Sequence, residues 1–298
     1  MSTTPVRSII RPREADVGDF VVRRSLPSRE APSVGPWVFF DHMGPAEMGA
    51  GAGMDVIPHP HINLATVTYL FDGEIVHRDS IGSVQSIQPG AINLMVAGSG
   101  IAHSERTPPA LRTTGFTAHG LQLWMGLPEQ YEESAPAFFH YPADSIPERL
   151  LDGSTVRVLM GEAYQMRSPV TIYSPTLYAE ANMPAGAALP IPAEASECAL
   201  YLVSGGITVG TAAVPAAHMA ILEVGNTAVI RADEESRIVL IGGEPLGKRY
   251  MWWNFVSSRK ERIQQAMMDW NNRRFAAIPG DSEEYAPLPE SDGHAAMK

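Results

Sequence analysis

The sequence predicts an all-β chain made of two copies of one frame, and three observations carry that prediction. The 26 glycines and 25 prolines are spread along the 298 residues rather than gathered in a linker, as expected of many short strands joined by turns. Apolar and polar residues alternate with period two from Ala65 to Phe71, and Asp72-Gly73 gives a hairpin signal before the chain returns from Glu74 to Asp79. The chain also repeats itself. Displaced by 132 residues, Tyr69-Leu70, Gly73 and Ile75 fall on Tyr201-Leu202, Gly205 and Ile207, and Pro58 and Pro60 fall on Pro190 and Pro192. Any two β-rich segments share a few such residues, but the coincidence of both prolines with the hairpin favours duplication. The length suffices for two domains, each with its own core, set here at residues 1–150 and 151–298.

In chain order, the first thirty residues mix Arg7, Arg11, Arg13, Glu14 and Asp16 with short apolar pieces and hold no hydrophobic core of signal length. No apolar run reaches bilayer-spanning length, so the expected compartment is the cytoplasm, with no membrane partner. Acidic residues outnumber basic ones by 33 to 22, a net charge of −11, which argues against direct nucleic-acid binding. Cys198 is the sole cysteine, so intrachain disulfides and Cys-rich zinc motifs are excluded. Trp37 to Pro45 reads as a short buried strand ending in a turn, with Asp41 and His42 as a structural hydrogen-bonded pair. The glycines between Gly44 and Gly53 precede no Lys-Ser or Lys-Thr, and a phosphate loop is rejected. Gln88-Pro89-Gly90 is a turn, and Ile92 to Val96 and Leu121 to Met125 are strands. After Pro245, Ser258-Arg259-Lys260-Glu261 has capping-box spacing and Ile263, Met267 and Trp270 share one face. These features predict a single helix from about Ser258 to Phe275 with its apolar stripe packed inward. From Pro279 onward the composition predicts a loose tail.

Chemistry concentrates in Pro58-His59-Pro60-His61 and in Gly98-Ser99-Gly100-Ile101-Ala102-His103-Ser104-Glu105. Side chains alternate faces along a strand, so His59 and His61 point the same way, as do His103 and Glu105. The members of each pair lie about 7 Å apart at the backbone, a gap two side chains can close onto one ion. Three imidazoles and one carboxylate suit iron, manganese, copper, nickel or zinc. Histidines at this spacing can also simply line a polar face, but two such pairs beside strand-and-turn sequence favour ligation. His77, with Asp79 two residues on, reads as a satisfied histidine rather than a third pincer, and His119 and His140 as structural. In the second copy the positions of His59 and His61 become Ile191 and Ala193, and no His-x-Glu follows. One half therefore holds a metal, and its twin has an apolar interior.

Five stretches in this order, Phe39-Phe40-Asp41-His42-Met43-Gly44-Pro45, Pro58 to His61, Thr66-Val67-Thr68-Tyr69, His77-Arg78-Asp79-Ser80 and Ala97 to Glu105, resemble the pirin family. The resemblance covers most of the first half and implies a bicupin: two jelly-roll barrels packed face to face, the second degenerate and followed by a helix. It implies one mononuclear metal, usually Fe(II), with ligands mapping onto His59, His61, His103 and Glu105. Where pirins often have a basic residue followed by Gly-Phe-Glu, this chain has Ile62-Asn63-Leu64-Ala65. A glutamate near this position can be a ligand in cupins, so Ala65 leaves that task to Glu105 and changes the pocket lining. Several pirins resemble quercetinases, which implies dioxygenase opening of a flavonol with Glu105 as catalytic base toward the 3-hydroxyl. A carboxylate bound to the cation must loosen to act so. Other pirins are iron-dependent regulators, which implies a protein partner such as a transcription factor or a metabolic enzyme.

Overall fold

The expected hairpin at Asp72-Gly73 is instead a crossing between two sheets, because Leu64–Asp72 and Ile75–Asp79 each pair with other strands. Leu64–Asp72 lies in a seven-stranded sheet, in hydrogen-bonded order Ala137–Tyr141, Ile92–Val96, Leu64–Asp72, Phe116–Gly126, Trp37–Met48, Phe20–Leu26 and Arg13–Val17. A four-stranded sheet accompanies it, in order Val56–His61, Ile101–Arg106, Ile75–Asp79 and Val84–Ile87. The structure is a computed structural model that describes residues 5–17, 20–223, 225 and 228–290. The same frame occurs again: Val6–Ile10, Met219–Leu222, Glu197–Ser204, Ser236–Gly243, Thr176–Met183, Ser154–Ala163 and Glu148–Leu151 pair in the corresponding order, with Met166–Arg167 added beside Ser154–Ala163. Its companion sheet runs Ala188–Pro190, Val229–Ala232, Ile207–Val209 and Ala212–Val214. The pairing of the strands repeats as well, although the partner strands are displaced by other lengths. Thr68 lies opposite Asn93 and Gln122, and Leu200, its counterpart, opposite Ala220 and Leu240.

The two compact units interleave in sequence. One comprises Met1–Glu14, Arg23–His42 and Tyr141–Pro245, the other Ala15–Val22, Met43–His140 and Leu246–Lys298. The first fills its interior with one apolar cluster that includes Leu200, Leu202, Ala220, Leu240 and Cys198. Ile191 joins this cluster, as expected for the twin, whereas Ala193 is exposed. The strand beginning at Trp37 does not turn at Pro45 but runs to Met48. Asp41 and His42 do not bond to each other, because neighbours on a strand face opposite ways. Asp41 instead accepts two bonds from Arg24, each 2.7 Å, and His42 Nδ1 meets the Tyr201 hydroxyl at 2.8 Å.

The C-terminal helix spans Lys260–Asn271, shorter than its sequence signals. Ser258 does not cap it; its hydroxyl donates to Glu132 at 2.8 Å. The stripe of Ile263, Ala266 and Trp270 is buried against Ile62, Ala102 and Phe255, while Met267 is only partly buried. The segment after Pro279 is held, not loose. Asp281 accepts from the Ser104 hydroxyl at 2.7 Å and from Arg106 at 2.8 and 2.9 Å, and Tyr285 stacks on Trp270 with centroids 4.0 Å apart. A few ionic and aromatic anchors fix a stretch whose average composition reads as tail; residues 291–298 of that expected tail lie outside the described residues. Among the described residues no helix is long and apolar enough to cross a membrane.

Candidate metal centre

Val56–His61 is an edge strand, which is why it accepts Pro58 and Pro60: a proline contributes no N–H to a ladder. Its partner Ile101–Arg106 places His103 directly opposite His59 and Ile101 opposite His61. Alternation turns the three imidazoles to one face, where their centroids lie 4.2 to 5.0 Å apart. One ring nitrogen from each of His59, His61 and His103 lies within 4.8 Å of the others, and all three residues are buried. The geometry brings together three of the four expected ligands. The fourth, Glu105, follows His103 by two residues and faces His77 across the next strand, with a register shift after His103 on the side of Val56. Its carboxylate is not among the atoms that converge within 4.8 Å.

Hydrogen bonds behind the rings assign their tautomers. His59 Nδ1–H donates to the Ile57 carbonyl at 2.9 Å, and His61 Nδ1–H to the Asn254 carbonyl at 3.0 Å. His77 Nε2–H donates to Asp79 at 3.0 Å, which leaves its Nδ1 to accept from His103 Nδ1, 3.3 Å away. Each ligand-candidate ring thus presents Nε2 with its lone pair forward. Nε2 of His103 is buried and meets no hydrogen-bond partner among the described residues. Buried polar atoms without partners are rare and costly, and a cation could satisfy this one.

Electrostatics agrees with the tautomers. Burial lowers His59 to about 4, and burial together with the neighbouring imidazoles holds His61 and His103 well below the ordinary histidine range. All three are neutral near pH 7, the form that binds metal. Burial also pushes the Glu105 carboxyl up to about 7. Burial pushes Asp79 upward too, but hydrogen bonds from His77 and Ser83 outweigh it and keep this carboxyl ionised.

His77 is the satisfied histidine expected of it, and beyond that expectation it supports a ligand-candidate ring from behind. His140 bonds Asn93 at 2.8 Å and His119 packs on Phe71. Asn254 was invisible in the sequence, since it acts through a backbone carbonyl. Trp124, whose ring lies 4.9 Å from that of His61, and Phe138, stacked on His77 at 4.4 Å, carried no pattern that set them apart from ordinary strand aromatics. Ala65 lies opposite Met125, one residue out of phase with the Thr66–Trp124 pair that faces His61. It therefore points away from the imidazoles and does not alter their lining.

Two family models match the chain, Pirin over residues 19–125 and the Pirin C-terminal cupin domain over residues 178–276. A pirin-like protein of Caulobacter vibrioides is 45% identical over 282 residues, covering 93% of this chain and 97% of that protein. A Pseudomonas aeruginosa protein provisionally named as a quercetin 2,3-dioxygenase is 38% identical over 286 residues, 93% of this chain and 89% of its own length. A crystal structure of quercetin 2,3-dioxygenase from Acinetobacter baumannii superposes with a TM-score of 0.88 at 35% identity, covering 95% of this chain and 94% of that one.

Proposed function

The chain belongs to the pirin family of bicupins, and on that premise we propose that it is a mononuclear Fe(II) dioxygenase that opens flavonols such as quercetin. The observation that carries the reading is the convergence of three neutral, hydrogen-bond-locked imidazoles with the unpartnered buried Nε2 of His103 among them. The quercetin dioxygenase names borne by relatives at 38% and 35% identity support the choice of substrate.

His59, His61 and His103 would hold the ion, with Glu105 as the fourth ligand. A divalent iron there would supply Lewis acidity to a chelating enolic oxygen and an open place for dioxygen. The contribution of the chain is orientation and proton management. The Ile57 and Asn254 carbonyls and His77 hold the rings still, so the donor atoms need no rearrangement. Glu105 would take the 3-hydroxyl proton only on loosening from the ion, since a carboxylate held on a cation is a poor base.

The test is anaerobic reconstitution with Fe(II), iron quantified in each sample, then oxygen uptake with quercetin. Wild type should consume oxygen. Glu105→Gln should retain most of its iron yet lose about 100-fold to 10,000-fold in activity per iron, the usual cost of a lost general base. Equal activity per iron would remove Glu105 from the base role. No uptake by iron-loaded wild type would refute the dioxygenase and leave an iron-dependent, protein-binding regulator.

A further inference from the structure

The duplicated frame gives an internal control for which side chains in the histidine-bearing barrel the fold itself requires. In the twin, Cys198, Leu200, Ala220 and Leu240 lie in one apolar core. Matched by register, their counterparts are Thr66, Thr68, Asn93 and Gln122. The twin shows that this interior can be filled with apolar side chains in the same pairing, so the polar row is not demanded by the architecture.

The row faces the metal ligands. Trp124, two residues beyond Gln122 and opposite Thr66, has its ring 4.9 Å from the ring of His61. Phe138, stacked on His77, is two residues before His140, which reaches Asn93. Within the row the Thr68 hydroxyl donates to Gln122 Oε1 at 2.9 Å, and His140 Nδ1–H donates to Asn93 Oδ1 at 2.8 Å. That leaves the amide nitrogen of Asn93, a residue only 2% exposed, buried with no acceptor among the described residues. An N–H kept out of water without a partner is destabilising, and a bound ligand oxygen would relieve it.

We propose that Asn93 is a specificity-determining residue, its Nδ2–H donating to an oxygen that the substrate carries away from its metal-chelating end, with Thr68 and Gln122 lining the same place. This rests on the flavonol reading and deepens it. Thr66, opposite the Trp124 whose ring meets that of His61, and Thr68, opposite Asn93, are two residues apart along the strand, about 7 Å at the backbone. That is about the span from the chelating oxygens of a flavonol to a hydroxyl on its neighbouring rings. The site therefore selects polyhydroxylated flavonols over those bearing only the 3-hydroxyl.

The experiment compares binding of quercetin and of 3-hydroxyflavone, which chelates but has no other hydroxyl, to the Fe(II)-loaded full chain under argon, followed by the flavonol absorbance shift. Asn93→Ala should weaken quercetin by about 10-fold to 100-fold. It should leave iron content unchanged and 3-hydroxyflavone within about twofold. Asn93→Leu, which has no donor and sits where the twin carries an apolar side chain, should behave alike and stands in if the alanine variant fails to load iron. Unchanged quercetin affinity, or equal loss of both flavonols in the variants, overturns the assignment while the dioxygenase reading stands. Wild type that binds neither flavonol overturns both.

Discussion

If Glu105 is the fourth ligand, metal binding must displace a proton from it, and the number displaced is set by the acidity that burial gives this carboxyl. A group at about 7 holds about 0.9 proton at pH 6 and about 0.1 at pH 8. His59, at about 4, holds only about 0.01 proton at pH 6, and His61 and His103 lie well below the ordinary range, so the imidazoles have next to nothing to release. The sign follows directly: as pH rises through 7 the free protein has already given up the Glu105 proton, and release falls. Calorimetric titration of the metal-free chain with Fe(II) under argon, in buffers of different ionisation enthalpy, reads this number. Wild type minus Glu105→Gln should give about 0.9 proton at pH 6 and about 0.1 at pH 8. No difference between the two proteins at pH 6 would show that Glu105 is not a protonated ligand whose proton the metal displaces, and would refute its raised pKa. Release of two or three protons by both would mean that the imidazoles are charged in the free protein and would refute the tautomer assignment.

Metal analysis should find one divalent ion per chain, and His61→Ala or His103→Ala should lose most of it. Circular dichroism and melting should stay close to wild type, because the apolar interiors form without it. His77→Phe keeps an aromatic ring against Phe138 but removes the acceptor for His103 Nδ1–H. It should lower metal affinity by about 10-fold to 100-fold, the usual effect of losing such support, and unchanged affinity would remove His77 from the site. The double replacement Ile191→His with Ala193→His should create no second site measurable at micromolar metal. The second position is exposed and nothing in the twin supplies the other pincer.

The duplication was legible because it is written in residues whose burial the sheet enforces. Tyr69 and Tyr201 each sit in a central strand, opposite Ile92 and Leu121 in one copy and Met219 and Val239 in the other. Substitution at such positions leaves a large side chain without a place, so the pattern survives where surface residues drift. The interleaving of the chain between units left no comparable trace. Which sheet Trp37–Met48 or Val6–Ile10 joins is decided by hydrogen bonds to strands far along the chain, and alternation looks the same whichever partner is chosen. The helix ends failed for a related reason. Ser258 has the right spacing for a cap, but Glu132, more than a hundred residues away, takes its hydroxyl.

At the candidate site the sequence revealed the donors and concealed what aims them. The i, i+2 histidines announce themselves because alternation alone puts them on one face, whereas register decides which rings meet. His103 stands opposite His59 on one side and Asp79 on the other, and only that double pairing lets the Asp79–His77 pair brace His103. Two of the three rings are aimed by main-chain carbonyls, which have no residue signature; that of Asn254 arrives from 193 positions beyond His61. These supports have unequal consequences for mutation. Replacing Asn254 leaves its carbonyl in place and should spare metal binding, whereas His77 supports through its side chain, so alignment of the proposed ligands alone would understate which positions a bound metal would depend on.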